Sequence, residues 1–151
     1  MEFLDLKTQQ KRIRKPLEKR INKILDHGAY IMGPEVSELE EKLADYSGIK
    51  HAISCSSGTD ALLIPLMAWS IGPGDAVFTT PFTYVATAEV ISILGATPIF
   101  VDVYESTFNI DCEKLETAIN KVIKDGKLKP KAIIPVDLFG LPARYRLIDK
   151  I

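Results

Sequence analysis

Apolar positions recur along this chain with two different rhythms. Over residues 8–27, Ile13, Leu17, Ile21, Ile24 and Leu25 repeat at helical spacing, which predicts an amphipathic helix. Pro16 falls early in that pattern, so the helix either begins near it or kinks there, and Gly28 reads as its stop. Pro34 is well placed to open a second helix, with Val36, Leu39 and Leu43 on one face up to about Tyr46 and Gly48 at its end.

Beyond residue 48 the rhythm changes to short apolar runs alternating with helical segments. HAISC (51–55) reads as a buried strand, and GTDALLIPLMAWSI (58–71) as a buried helix interrupted by Pro65. GPGD (72–75) is a turn signal, AVFTT (76–80) a strand and YVATAEVISILGA (84–96) a helix closed by Gly95. TPIFVDV (97–103) is a strand, and Asp111 is a good N-cap for CEKLETAINKVI. A charged surface loop over 124–131, a strand AIIPV (132–136), a loop DLFGLPA and the start of a helix, RYRLIDKI, complete the pattern. Strands that are apolar throughout and alternate with helices predict an α/β fold, a mostly parallel sheet with helices on both faces. The expected division is an N-terminal helical segment, 1–48, and an incomplete α/β unit, 49–151. The final helix has no stop signal, which makes the chain read as part of a longer protein.

Ligands of such sheets bind at the carboxyl ends of strands, so the strand-to-helix loops carry the candidate chemistry. At 56–59, Ser56, Ser57, Gly58 and Thr59 open a helix whose first N–H groups have no helical partner. They could cradle a phosphate, with Gly58 admitting a close approach and Ser57 and Thr59 adding hydroxyls; equally, the serines and Asp60 could be ordinary caps. The next loop, TTPFTYVAT (79–87), sets Phe82 and Tyr84 two residues apart at a strand end. An aromatic face there suits a flat ring with a phosphate tail, and core packing of both rings is the alternative. There is no GxxxxGK[ST] and no GxGxxG after a strand, which disfavours a Walker ATPase or a dinucleotide-binding domain.

Composition narrows the field further. The 151 residues carry a net charge of −1, with 46% hydrophobic and 26% charged residues, an ordinary globular balance. That charge gives no reason to expect nucleic acid or an anionic membrane, and the basic stretch KTQQKRIRKPLEKR reads as a solvated helix face. Cys55 and Cys112, His27 and His51 have no ligand-like spacing, so no metal is expected. MEFLDLKTQQ has no signal-peptide or transit-peptide character, and a cytoplasmic protein is expected.

SSGTDALL, GPGDAVFTTPFTYVATAEVISILGATPIFVDV, TFNID and KAIIPVDLFG, in that order, resemble the N-terminal half of the DegT group of nucleotide-sugar aminotransferases. FLDLKTQQ and YIMGPEVSELE (30–40) extend the resemblance over essentially the whole chain. It implies a fold-type I enzyme with pyridoxal 5'-phosphate, a homodimer that moves an amino group, usually from glutamate, onto a nucleotide-linked keto-sugar in polysaccharide or amino-sugar biosynthesis. Gly58 and Thr59 then match the positions holding the cofactor phosphate, with Ser57 adjacent, and Tyr84 matches the aromatic stacked on the pyridine ring. Gly28 and Tyr30 match positions near the nucleotide-sugar. Asp137 falls at a strand end near the cofactor and takes a weak role, while Asp102 and Asn109 read as structural. The family's catalytic lysine and ring-pairing acid have no matching motif here, and Lys50, Lys121, Lys124, Lys127, Lys129 and Lys131 sit in none. The chain alone is expected to be inactive. A sugar dehydratase of the same fold and a non-catalytic α/β module are the alternatives.

Overall fold

The computed structural model describes residues 3–151, so the first two residues of MEFLDLKTQQ lie outside it. The chain forms two compact units, Met1–Ser54 and Cys55–Ile151.

In the first unit, α1 (Leu6–His27) is continuous across Pro16 and begins ten residues before it, not near it. Proline removes one helical N–H, a loss that an exposed helix can make good with water. Asp5 caps its start by accepting from the Thr8 N–H at 3.0 Å, and Gly28, at φ 67°, donates to the Ile24 carbonyl at 2.9 Å to close it. Helix α2 (Pro34–Ser47) begins with proline at its first turn and ends at Gly48. The turn between them requires glycine at position 33, where a Cβ would stand 2.2 Å from the Ala29 carbonyl oxygen. Gly33 is the one buried residue of the two helices and their connection among the described residues, and Ile13, Leu17, Ile21 and Leu25 remain 45–59% exposed. Charge holds α2 to α1 instead. Arg20 grips Glu38 through both terminal nitrogens at 3.1 and 2.9 Å, with Lys42 donating to the same carboxylate, and Lys23 and His27 each reach Glu35 at 3.1 Å.

The hydrogen bond from Arg20, reinforced by Lys42, pulls the Glu38 carboxyl down to about 2 from its ordinary 4.5. A carboxyl with a lowered folded value binds its proton less readily folded than unfolded. The α1–α2 pairing is therefore fully present above pH 4.5 and is lost as pH falls towards 2. Amide protection factors in α2, measured against the intrinsic exchange rate at each pH, should fall across that window, and in Glu38→Gln they should already be low at neutral pH.

The second unit is a three-stranded parallel sheet of order β2-β1-β3, with β1 Asp75–Thr79, β2 Thr97–Phe100 and β3 Lys129–Ile134. β1 is buried along its whole length. Its Val77 packs with Leu66, Val90 and Ile91 of α3 (Gly58–Ala68) and α4 (Ala86–Ile93) on one face. Ala76 and Phe78 pack with Leu115 and Val122 of α5 (Cys112–Asp125) and Ile148 of α6 (Tyr145–Ile148) on the other. The β1–β3 register slips between Ala76 and Val77, from Ala76↔Pro130 to Val77↔Ala132. Pro130 has no N–H for the ladder, and the bulge absorbs the missing rung. Asp111 caps α5, accepting from Glu113 and Lys114 N–H groups at 2.9 and 3.2 Å. Asp111→Ala should cost about 1 kcal/mol, read from urea denaturation of the second unit.

Several expectations fail. Strand β2 stops at Phe100 rather than at Val103, and α5 and β3 extend to Asp125 and from Lys129 into the stretch 124–131 that reads as a loop, with β3 ending at Ile134. Residues 51–55 form no strand, and Ile53 is 81% exposed, because no strand of the chain pairs with them. Helix α3 is apolar nearly all round, yet only Leu66 is buried. Ile64, Met67 and Trp69 stay open, since one sheet face and α4 cover a single side of it.

Candidate functional site

Helix α3 ends at Ala68, a few residues before β1 starts at Asp75, so its N-terminus lies toward the opposite end of the sheet, where the strands finish. Ser57 is its N-cap, with extended backbone. The Ser57 hydroxyl accepts from the Asp60 N–H at 3.1 Å and donates to the Asp60 carboxylate at 3.0 Å, and Ser56 also donates to that carboxylate. These bonds, from Ser56 first and then Ser57, hold the Asp60 carboxyl below its usual range. Both serine hydroxyls are thus committed to Asp60, so Ser57 acts here as a cap.

The N–H groups of Gly58 and Thr59 donate to nothing among the described residues. A Cβ built on Gly58 meets no atom within 4 Å, so the space before these two donors is open. Two free donors at a helix N-terminus, with open space ahead and the half-buried Thr59 beside them, fit an anionic tail. The nearby Asp60 charge is turned onto the serines.

Tyr84 sits on the β1–α4 connection and is 76% exposed. Its ring touches no other ring and its hydroxyl makes no hydrogen bond among the described residues. Phe82 is the anchored member of the pair, 5.4 Å from Phe108, which in turn meets Phe139 edge-on at 6.2 Å. The three rings come from the loops after β1, β2 and β3. Phe108 and Phe139 hold φ of 59° and 56°, the left-handed region that bulky side chains avoid. No motif in the sequence marks these two residues for a role. The one local signal was Asn109, a residue tolerant of that region, standing one place after the position that needs it.

Asn109 is buried, and its amide donates to the Leu141 and Pro142 carbonyls at 3.0 and 3.2 Å, tying the β2–α5 loop to the β3–α6 loop. Asp137 accepts from the Ala143 N–H at 2.8 Å and the Tyr145 hydroxyl at 2.9 Å, folding the β3–α6 loop back on itself. Asp102 pairs with Lys114 at 2.7 Å.

Gly28 and Tyr30 belong to the first unit. Gly28 is the left-handed stop of α1, and Tyr30 donates its N–H to the Gly28 carbonyl at 3.1 Å and leaves its ring 65% exposed. A groove of about 750 Å³ in the same unit is lined by Lys19, Arg20, Lys23, Asp26, Glu35 and Glu38. Its charges are balanced and largely paired with one another, which leaves little to recruit a charged ligand. Among the described residues, no group of three His, Cys, Asp or Glu side chains could hold a metal ion, and no helix is long and apolar enough to cross a membrane.

Comparison with known proteins shows the family to which the chain is similar. A family described as DegT/DnrJ/EryC1/StrS aminotransferases matches residues 11–151. A Pseudomonas aeruginosa protein named UDP-2-acetamido-2-deoxy-3-oxo-D-glucuronate aminotransferase is 50% identical over 151 residues, covering 100% of this chain and 40% of that one. A crystal structure of an aminotransferase of the same group from Brucella abortus superposes with a TM-score of 0.94 at 53% identity, over 99% of this chain and 40% of the other. NtdA from Bacillus subtilis, solved with bound cofactor PMP, matches at 32% identity and TM-score 0.82, over 90% of this chain and 30% of that one. The chain spans about two fifths of the length of the first two.

Proposed function

The chain belongs to the DegT/DnrJ/EryC1/StrS aminotransferase family, and from that premise we propose that it is the cofactor-anchoring part of a pyridoxal 5'-phosphate enzyme. That enzyme transfers an amino group from an amino acid, glutamate by preference, to a nucleotide-linked keto-sugar. The observation that carries the reading is the pair of free N–H groups at Gly58 and Thr59, at the start of a helix serving a parallel sheet.

When bound, the cofactor supplies an electron sink for breaking the bond to hydrogen at the amino-bearing carbon. This chain's residues bind and orient. The N–H groups of Gly58 and Thr59 and the Thr59 hydroxyl hold the phosphate, and Ser57 supports them by fixing the helix start and turning Asp60 aside. The Tyr84 ring, free of other partners, lies against the pyridine face. Gly28 and Tyr30 border the sugar-nucleotide, in a helical segment 1–48 preceding the cofactor-binding unit 49–151. The working form is a cytoplasmic homodimer, and the exposed stripe Ile13, Leu17, Ile21 and Leu25 supports a second copy packing nearby. No residue here is assigned to proton transfer; that task falls to a lysine outside these 151 residues.

Pyridoxine 5'-phosphate tests the reading, because it keeps the ring and phosphate but has no aldehyde and needs no lysine. Fluorescence titration should give saturable binding to the chain, and Thr59→Val should weaken it by about tenfold, the loss of one hydrogen bond to a charged group. Unchanged affinity in Thr59→Val removes the phosphate assignment. In the longer protein, glutamate with a nucleotide-linked keto-sugar should yield 2-oxoglutarate and the amino-sugar.

A further inference from the structure

The Tyr84 side chain has no anchor of its own. Its ring is exposed and unpartnered; its loop is fixed at the Tyr84 carbonyl, which accepts from the Thr87 N–H at 3.1 Å, at Thr83, whose hydroxyl bonds that of Thr87 at 2.9 Å, and at Phe82, whose ring meets Phe108. Phe108 ends a turn in which its N–H donates to the Tyr104 carbonyl at 2.8 Å, a place whose positive φ favours glycine or asparagine. A phenylalanine there strains the backbone, and at 42% exposure the ring returns little as core. What the ring does reach is Phe82 on one side and Phe139 on the other, the latter at positive φ as well. The turn is over-determined from behind by the Asn109 fork onto Leu141 and Pro142, and by Arg144 lying 4.7 Å over the Tyr104 ring.

We propose that Phe108 is a positioning residue: its strained turn keeps a ring against Phe82, and this contact sets the loop that presents Tyr84 to the cofactor. The inference rests on Tyr84 stacking on the ring of pyridoxal phosphate. It explains why an aromatic is held where its own backbone is uncomfortable, at a point contributing little to the core.

Thermal denaturation and pyridoxine 5'-phosphate titration of the full chain, run on the same variants, test it. Phe108→Gly relieves the strain as it removes the ring, so its Tm should be unchanged or raised while affinity falls by about fivefold, the scale of one stacking contact. Phe108→Tyr keeps the ring and should bind within about twofold of the parent. Tyr84→Ala should lose stacking directly, and Phe108→Gly added to it should cost no further affinity, since the first acts through the second. A Phe108→Gly chain that binds like the parent overturns the proposal and leaves the function intact. So does one whose Tm and affinity fall together, or a double variant whose losses add. A parent chain that does not bind the probe overturns the functional reading, and this proposal with it.

Discussion

Gly58→Asp should abolish binding of pyridoxal phosphate and leave the fold as stable as before, or slightly more so. The two halves of that result come from the same position. A side chain at residue 58 meets no atom within 4 Å, so it costs nothing in packing. A carboxylate in the first turn of α3 also interacts favourably with the helix N-terminus, by about 0.5 kcal/mol. That carboxylate occupies the space before the Gly58 and Thr59 N–H groups and repels a phosphate from it. Affinity for pyridoxine 5'-phosphate should fall by about 100-fold or more, the scale of trading charge-assisted bonds for like-charge repulsion. Denaturation midpoints measured alongside should stay level. A variant that binds as before would show that the phosphate sits elsewhere. The serines offer no equivalent test, because replacing Ser57 removes the cap and frees Asp60 together.

Phe78→Ala should unfold the second unit or bring it close to unfolding. Phe78 lies on the central strand, 1% exposed, in the cluster with Val101, Ile110 and Leu115 beneath α5. Emptying that volume costs about 3–5 kcal/mol, against a total stability of about 5–15 kcal/mol for a natural domain. Urea titration followed by far-ultraviolet circular dichroism should show a midpoint shifted sharply down. The neighbouring Val77 faces the other way, into the α3–α4 cluster, so Val77→Ala should cost less for its smaller volume.

The parts of this fold that follow local rules were legible in the sequence. Asp111 caps α5, and Gly28, Gly48 and Gly95 each adopt the left-handed backbone that ends a helix. Each of these outcomes is decided within a few residues. The parallel sheet was legible too, because a strand buried on both faces, as β1 is, has to be apolar at every position. What could not be read depends on partners distant in the chain. Residues 51–55 have the composition of a strand, but a strand exists only with a neighbour. Helix α3 has the composition of a buried helix, but burial needs something on every side. At the candidate site, the helix start was foreseeable, while the sequence left open whether the Phe82 and Tyr84 rings pack the core or face outward. The link from Phe82 through Phe108 to Phe139 was not foreseeable, since it spans 26 residues on one side and 31 on the other and uses a backbone conformation that the residue type disfavours.

The first unit, held together by Glu35 and Glu38 with almost nothing buried, carries a calorimetric consequence. The heat-capacity rise on unfolding comes from wetting apolar surface, and α1 and α2 are wet already. Their melting should register as a broad, nearly stepless absorption of heat, deepened by dilution of salt and flattened by its addition. The sheet unit should melt with a sharp peak and a distinct step in the baseline.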